Sequence, residues 1–148
     1  MMPDQRIVGL LRRALAHELT AVQLYLAQAR LTALWGQDQA SGRFREDVNA
    51  ELRHAELLME QLLLLGANPA ASVLGAAHVG RDLKEMLEID RVIEMEAVRL
   101  YQEGIRYCAR RRDQPQHALF AHILEDELEH VRELDAWLAT LPREARRA

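Results

Sequence analysis

At 148 residues the chain is long enough for one domain with a substantial core. A net charge of −4 and a pI near 5.9 exclude the concentrated basic face of a nucleic-acid binder. The one cysteine, Cys108, can close no internal disulfide, which fits a reducing compartment.

Charges at Asp4, Arg6, Arg12 and Arg13 interrupt the N-terminus, so it does not read as a signal peptide. The most apolar run, LLLLG at 62–66, is far too short to span a bilayer. A soluble cytoplasmic protein, a single domain over 1–148, is the expectation.

Apolar residues recur at spacings of three and four nearly throughout, and only 7 Gly and 4 Pro are present to interrupt long helices. The first predicted helix runs over 4–35 and ends before Gly36; the second runs over 38–65 and ends before Gly66. The segment GANPAASVLGAAHVG (66–80), with three Gly and a Pro, reads as a long connection. A third helix is predicted over 81–111, a break at RDQP (112–115), and a fourth helix over 116–141. Arg110 to Arg112 and the tail residues Arg143, Arg146 and Arg147 fall near helix C-termini, where cations complement the dipole. Two short connections and one long crossover predict an all-α, ferritin-like four-helix bundle.

The chain repeats itself at an offset of 76 residues: ELTAVQLY (18–25) aligns with EMEAVRLY (94–101), and ELRH (51–54) with ELEH (127–130). Phe44 pairs with Phe120, Leu58 with Leu134, and Leu62 with Leu138. Chance alignment of heptads would share leucines, but not Glu, Tyr and His at one fixed offset. An internal two-fold axis is therefore expected.

Each core stripe is broken by one glutamate. The first reads Leu11, Leu15, Glu18, Val22, Tyr25, Ala29; the second Phe44, Val48, Glu51, Ala55, Leu58. The third carries Leu87, Glu94, Val98 and Tyr101, with Arg91 its further polar member, and the fourth Phe120, Leu124, Glu127, Val131. Four carboxylates at one level of a core must either take up protons or hold cations. Two divalent ions would balance them, and two neutral imidazoles, His54 and His130, would add ligands without charge. One Glu from each of two helices plus a Glu-x-x-His from each of the others is the established di-iron or di-manganese pattern of such bundles. Mixed carboxylate and imidazole ligation suits iron or manganese, and zinc could also bind in vitro.

With these motifs, from LLRRALAHELTAVQLYLAQARL through WG at 35–36 to HILEDELEHVRELDAWL, the chain resembles the bacterioferritins over nearly its whole length. The resemblance implies a ferroxidase centre of two iron ions per subunit, with Glu18 and Glu94 as terminal ligands, Glu51 and Glu127 bridging, and His54 and His130 binding one iron each. It implies oxidation of Fe2+ by O2 or H2O2 and deposition of mineral in a homo-oligomeric shell. Tyr25 and Tyr101 would hydrogen-bond ligand carboxylates or, as ordinary core tyrosines, any acceptor at hand. Asp126 could orient a histidine, although its repeat-equivalent is Ala50.

Three departures stand out. Where the family carries a methionine ligand to haem, this chain has Leu52, so haem is not expected; Met59, one heptad on, reads as packing. The chain stops at Ala148, soon after Pro142, without the family's short fifth helix. That leaves a shell of twenty-four subunits, one of twelve, or a hetero-oligomer with a haem-binding subunit. Positions 46 and 50, where some relatives offer an inner-surface iron site, are Glu46 and Ala50. A peroxide-scavenging di-iron enzyme is the alternative reading. His17, His117 and His122 are expected at surfaces, interfaces or pores, and His78 in the crossover.

Overall fold

The computed structural model describes residues 2–142, which form four α-helices: α1 (Gln5–Leu34), α2 (Asp38–Leu64), α3 (Leu83–Arg111) and α4 (Gln114–Thr140). At 1.5 Å per residue these are rods of roughly 40–45 Å. Tail residues 143–148, including Arg143, Arg146 and Arg147, lie outside the described residues. Among the described residues, no helix is long and apolar enough to cross a membrane.

Local chemistry sets each boundary. Asp4 caps α1 by accepting from the amides of Arg6 and Ile7, so it precedes the helix instead of opening it. The same carboxylate accepts from the Tyr107 hydroxyl at 2.8 Å, which pins the start of α1 to the end of α3. Beyond the end of α1, Gly36 turns the chain with a φ of 78° that suits a residue without a Cβ, and Gln37 N–H reaches back to the Thr32 carbonyl at 2.9 Å. α4 begins earlier than the sequence suggests, at Gln114. Asp113 caps it, and Pro115 falls in the first turn, where a missing N–H costs nothing.

α1 pairs with α2 and α3 with α4, and the two hairpins join mainly through α1 and α3. α2 and α4 approach one another only sparsely, so that side of the bundle is the more open one. The long crossover runs over α1, held by Gln23 Nε2 to the Gly75 carbonyl (2.6 Å) and Gln28 Nε2 to the Val79 carbonyl (3.1 Å).

The internal repeat is visible in the packing and equally in where it fails. Phe44 tilts against Trp137 at 5.4 Å, while its counterpart Phe120 tilts against Tyr101 at 5.9 Å. In the second half Phe120 presses on Gly104, where an added Cβ would meet the ring at 2.8 Å. In the first half the equivalent of Gly104 is Gln28, fully buried, which donates to Asp90 Oδ1 at 2.7 Å.

Asp90 corrects the expected register of α3. It is fully buried, whereas Arg91 turns to the surface and pairs with Asp135 at 2.6 Å. A stripe stepping by three or four admits either neighbour, and burial favours the residue that finds a partner inside.

Gly104→Ala is expected to lower thermal stability, because overpacking by about 1–3 kcal/mol outweighs the roughly 1 kcal/mol gained in helix propensity. Differential scanning calorimetry checks it; a raised Tm would show that Phe120 moves aside freely.

Candidate metal centre

Midway along the bundle each helix contributes one glutamate: Glu18, Glu51, Glu94 and Glu127, none more than 3% exposed. His54 and His130 stand one turn beyond Glu51 and Glu127 on the same faces. The structure thus brings all six predicted residues together. Their ligand atoms fall into two groups, one of Glu18, Glu51, His54 and Glu127, the other of Glu51, Glu94, Glu127 and His130. Within each group the atoms lie within 4.8 Å of one another, and Glu51 and Glu127 belong to both. Metal–ligand bonds of roughly 2.1 Å put ligand atoms about 3–4 Å apart, so each group has the dimensions of a coordination shell.

His54 Nδ1 lies 2.9 Å from Glu127 Oε1 and 3.5 Å from both Glu18 Oε2 and Glu51 Oε2. His130 Nδ1 lies 3.2 Å from Glu51 Oε1 and 3.7 Å from both Glu94 Oε2 and Glu127 Oε2. None of these approaches is a hydrogen bond. One inward atom of each residue, among them Glu18 Oε2, Glu51 Oε1 and both Nδ1 atoms, is buried without a partner. Native interiors leave few such atoms unpaired, and six converging on two points fit a pair of cations.

The outward atoms, by contrast, are tied. Tyr25 on α1 donates to Glu94 Oε1 on α3 at 2.5 Å, and Tyr101 on α3 donates to Glu18 Oε1 on α1 at 2.6 Å. This crosswise exchange is the repeat expressed as hydrogen bonds, and it aims the free oxygen of each carboxylate inward. His54 Nε2 meets Asp126 Oδ2 at 2.9 Å. His130 has no such partner, since Ala50 occupies the equivalent position.

Electrostatics follow from this crowding. Burial pushes the His54 pKa down, but contacts with Glu127 and Glu51 outweigh it and carry it up to about 10. The same balance carries His130 up to about 11. Glu127 is held below its ordinary value: burial pushes it up, and His130 and His54 together pull it down further. The Tyr25 and Tyr101 hydroxyls are raised well above 10 by burial, so they stay donors.

Two carboxyls near the centre escape the simple stripe reading. Asp90, one turn before Glu94, is pushed well up by burial. Asp47, one turn before Glu51, is raised to about 6 by burial against the pull of His130. Their position one turn from a core glutamate was the available signal.

Elsewhere, His17 is half-buried and its Nε2 lies 2.9 Å from the Ile93 carbonyl, linking α1 to α3. His78 pairs with Glu85 at 3.2 Å, His117 is half-buried, and His122 is exposed 4.0 Å from Asp126. Leu52 is 40% exposed on the outer face of α2, and Met59 packs against the core.

Residues 8–144 match the family model of the ferritin-like domain, and the chain belongs to that family. Within it, the chain is similar to bacterioferritins. The chain is 33% identical to the bacterioferritin of Mycobacterium leprae over 141 residues, 95% of this chain and 89% of that protein. It is 31% identical to that of Rhodobacter capsulatus over 143 residues, 97% and 89% of the two chains. The solved structure of Mycobacterium tuberculosis bacterioferritin BfrA superposes with a TM-score of 0.90 at 30% identity, covering 94% of this chain and 87% of that one.

Both imidazoles have folded pKa values above their ordinary 6.5, so their stabilisation is complete below that pH and is lost as pH rises through about 10 and 11. The melting temperature of metal-free protein should therefore fall between pH 7 and 10. Divalent metal should flatten that fall and release about two protons per chain at pH 7.5, read in a pH-stat. Asp126→Asn should weaken metal binding about 10–100-fold at one of the two ions while sparing the other, measured by anaerobic titration.

Proposed function

We propose that the protein takes up ferrous iron as its substrate, two ions per chain, oxidises it at the four-glutamate, two-histidine centre, and holds the product in a homo-oligomeric shell in the cytoplasm. The observation that carries this reading is the pair of ligand groups sharing Glu51 and Glu127. Shared carboxylates hold two ions close enough to be oxidised together, supplying jointly the two electrons that take dioxygen and two protons to hydrogen peroxide. Peroxide can accept two more.

This chain's residues have separable tasks. Glu18 and Glu94, steered by Tyr101 and Tyr25, each serve one ion. Glu51 and Glu127 serve both, and their carboxylates can shift binding mode as charge at the pair changes. His54 and His130 supply neutral nitrogen ligands, which keeps the buried charge balanced: four negative carboxylates against two divalent ions. The bacterioferritin relatives support storage as the outcome. Large apolar side chains exposed on α1 and α2, including Leu26, Leu34, Leu52 and Leu63, support contacts between subunits. Haem has no part in this proposal, because Leu52 offers no ligand atom.

The test begins with metal-free protein loaded anaerobically with excess Fe2+ and then exposed to air. Rapid oxidation, with far more than two irons retained per particle of shell mass, is expected. Turnover confined to about two irons per chain would favour peroxide scavenging, and a particle of dimer mass would sink the shell. Glu51→Ala removes a ligand from both groups and should abolish rapid oxidation with the helical content unchanged.

A further inference from the structure

One motif of the sequence has no part in the metal centre: RYCARRR at 106–112, four arginines in seven residues at the end of α3. The helix dipole explains Arg110 and Arg111, which lie in the last turn. It does not explain what stands beside them. Arg6 lies in the first turn of α1, where the dipole disfavours a cation, yet its guanidinium sits 4.8 Å from the centroid of the Tyr107 ring. Arg13, two turns on, reaches Glu103 of α3 at 3.4 Å. The start of α1 and the end of α3 thus merge their arginines into one exposed patch.

The packing leaves these charges available. Tyr107 donates to Asp4 at 2.8 Å, which fixes the ring, and Arg110 lies 5.8 Å from its centroid. Guanidinia from both helices therefore rest near one aromatic plate. A cation–π contact holds a guanidinium without consuming its N–H donors, so the planar forks stay free. Glu103 is shared between Arg13 and, at 4.0 Å, Arg6, while Asp4 is taken by Tyr107 and by Arg111 at 3.3 Å. Arg106, Arg110 and Arg112 enter no ion pair among the described residues. The other two helices hide this excess: α2 and α4 together carry twelve carboxylates against four arginines. The net charge of −4 averages two unlike faces.

We propose that this patch docks the phosphate backbone of a nucleic-acid duplex, without reading its sequence. Every cation in it is an arginine, whose fork matches phosphate oxygens in pairs. From Arg106 to Arg112 the helix rises about 9 Å, the rise of two or three successive phosphates along one strand. A duplex presents such charges in an unbroken row, so guanidinia spread over two helices engage several at once whatever the bases. Roughly 18 Å of helix separates Arg106 from Glu94, so docking does not depend on the metal centre. An assembled shell would present the patch once per subunit, and linked weak contacts reinforce one another. The patch itself does not rest on that assembly.

The full chain is titrated into a fluorescently labelled DNA duplex, and anisotropy reads the binding at several salt concentrations. Wild type should bind at about 50 mM salt and lose roughly a hundredfold in affinity by about 200 mM, as about four neutralised phosphates require. Arg106→Gln/Arg110→Gln should weaken binding at least about tenfold and flatten the slope of log affinity against log salt by about two. Helical content, particle mass and iron oxidation should stay as in wild type. Arg45→Gln/Arg132→Gln, which takes the same charge from α2 and α4, should leave duplex binding unchanged. No binding by wild type at low salt, full binding by the first variant, or an equal loss in the second would overturn the patch. Poly-L-glutamate bound as tightly as the duplex would overturn nucleic acid as its occupant. If the first variant does not fold, Arg106→Gln and Arg110→Gln singly decide the matter, each expected to flatten the slope by about one.

Discussion

Four carboxylates from four helices meet at one level of an apolar core, and the rest of the structure is arranged around making that tolerable. Each uncompensated buried charge costs several kcal/mol, and attraction repays this only with good geometry. The bundle answers in two ways. Tyrosines reach across from α1 to α3 and back to take one oxygen of Glu94 and of Glu18. Two imidazoles sit within contact of the others, and in the absence of metal they hold their protons far above the ordinary range. What neither device satisfies is the set of inward atoms, which remain partnerless in the polypeptide and define two overlapping shells. The long helices supply the stiffness this needs, with apolar layers on both sides of the centre built from Leu11, Leu15, Phe120 and Leu58 on one side and Ala29, Phe44, Leu87 and Leu134 on the other.

The internal two-fold organises the centre, yet the deviations from it are where the two halves acquire different chemistry. Where the second half has Gly104 under the Phe120 ring, the first has Gln28 and with it a buried acceptor, Asp90. Where α4 offers Asp126 to His54, α2 offers only Ala50 to His130. The consequence is a centre with one imidazole locked from outside and the other bordering a carboxylate-lined cavity. A symmetric scaffold thus carries an asymmetric set of approaches. The sparse contact between α2 and α4 is what leaves room for them.

Much of this was written in periodicity. A three-four stripe interrupted once per helix by glutamate, with histidine one turn later on two of them, is legible without coordinates, because helix geometry alone puts those groups on one face. So are the four helices, whose Gly36 and Gly66 stops depend on local backbone preference. Legibility fades where two neighbours compete for the same face. Asp90 and Arg91 both satisfy a stripe stepping by three or four, and only the presence of Gln28 across the core decides that the aspartate goes in and the arginine out to Asp135. Pro115 likewise looks like a break until Asp113 caps the turn ahead of it.

By itself, then, the sequence determined which residue types face inward on each helix, and with them the six groups of the centre, since both follow from one helix at a time. Tertiary structure alone decided the pairings between helices: which tyrosine serves which glutamate, that Asp126 serves His54, that His17 bridges to the Ile93 carbonyl, and that a cavity opens beside His130. Those depend on the rotation and separation of one helix against another. Packing of whole side chains sets these, and no repeat along a single chain encodes them.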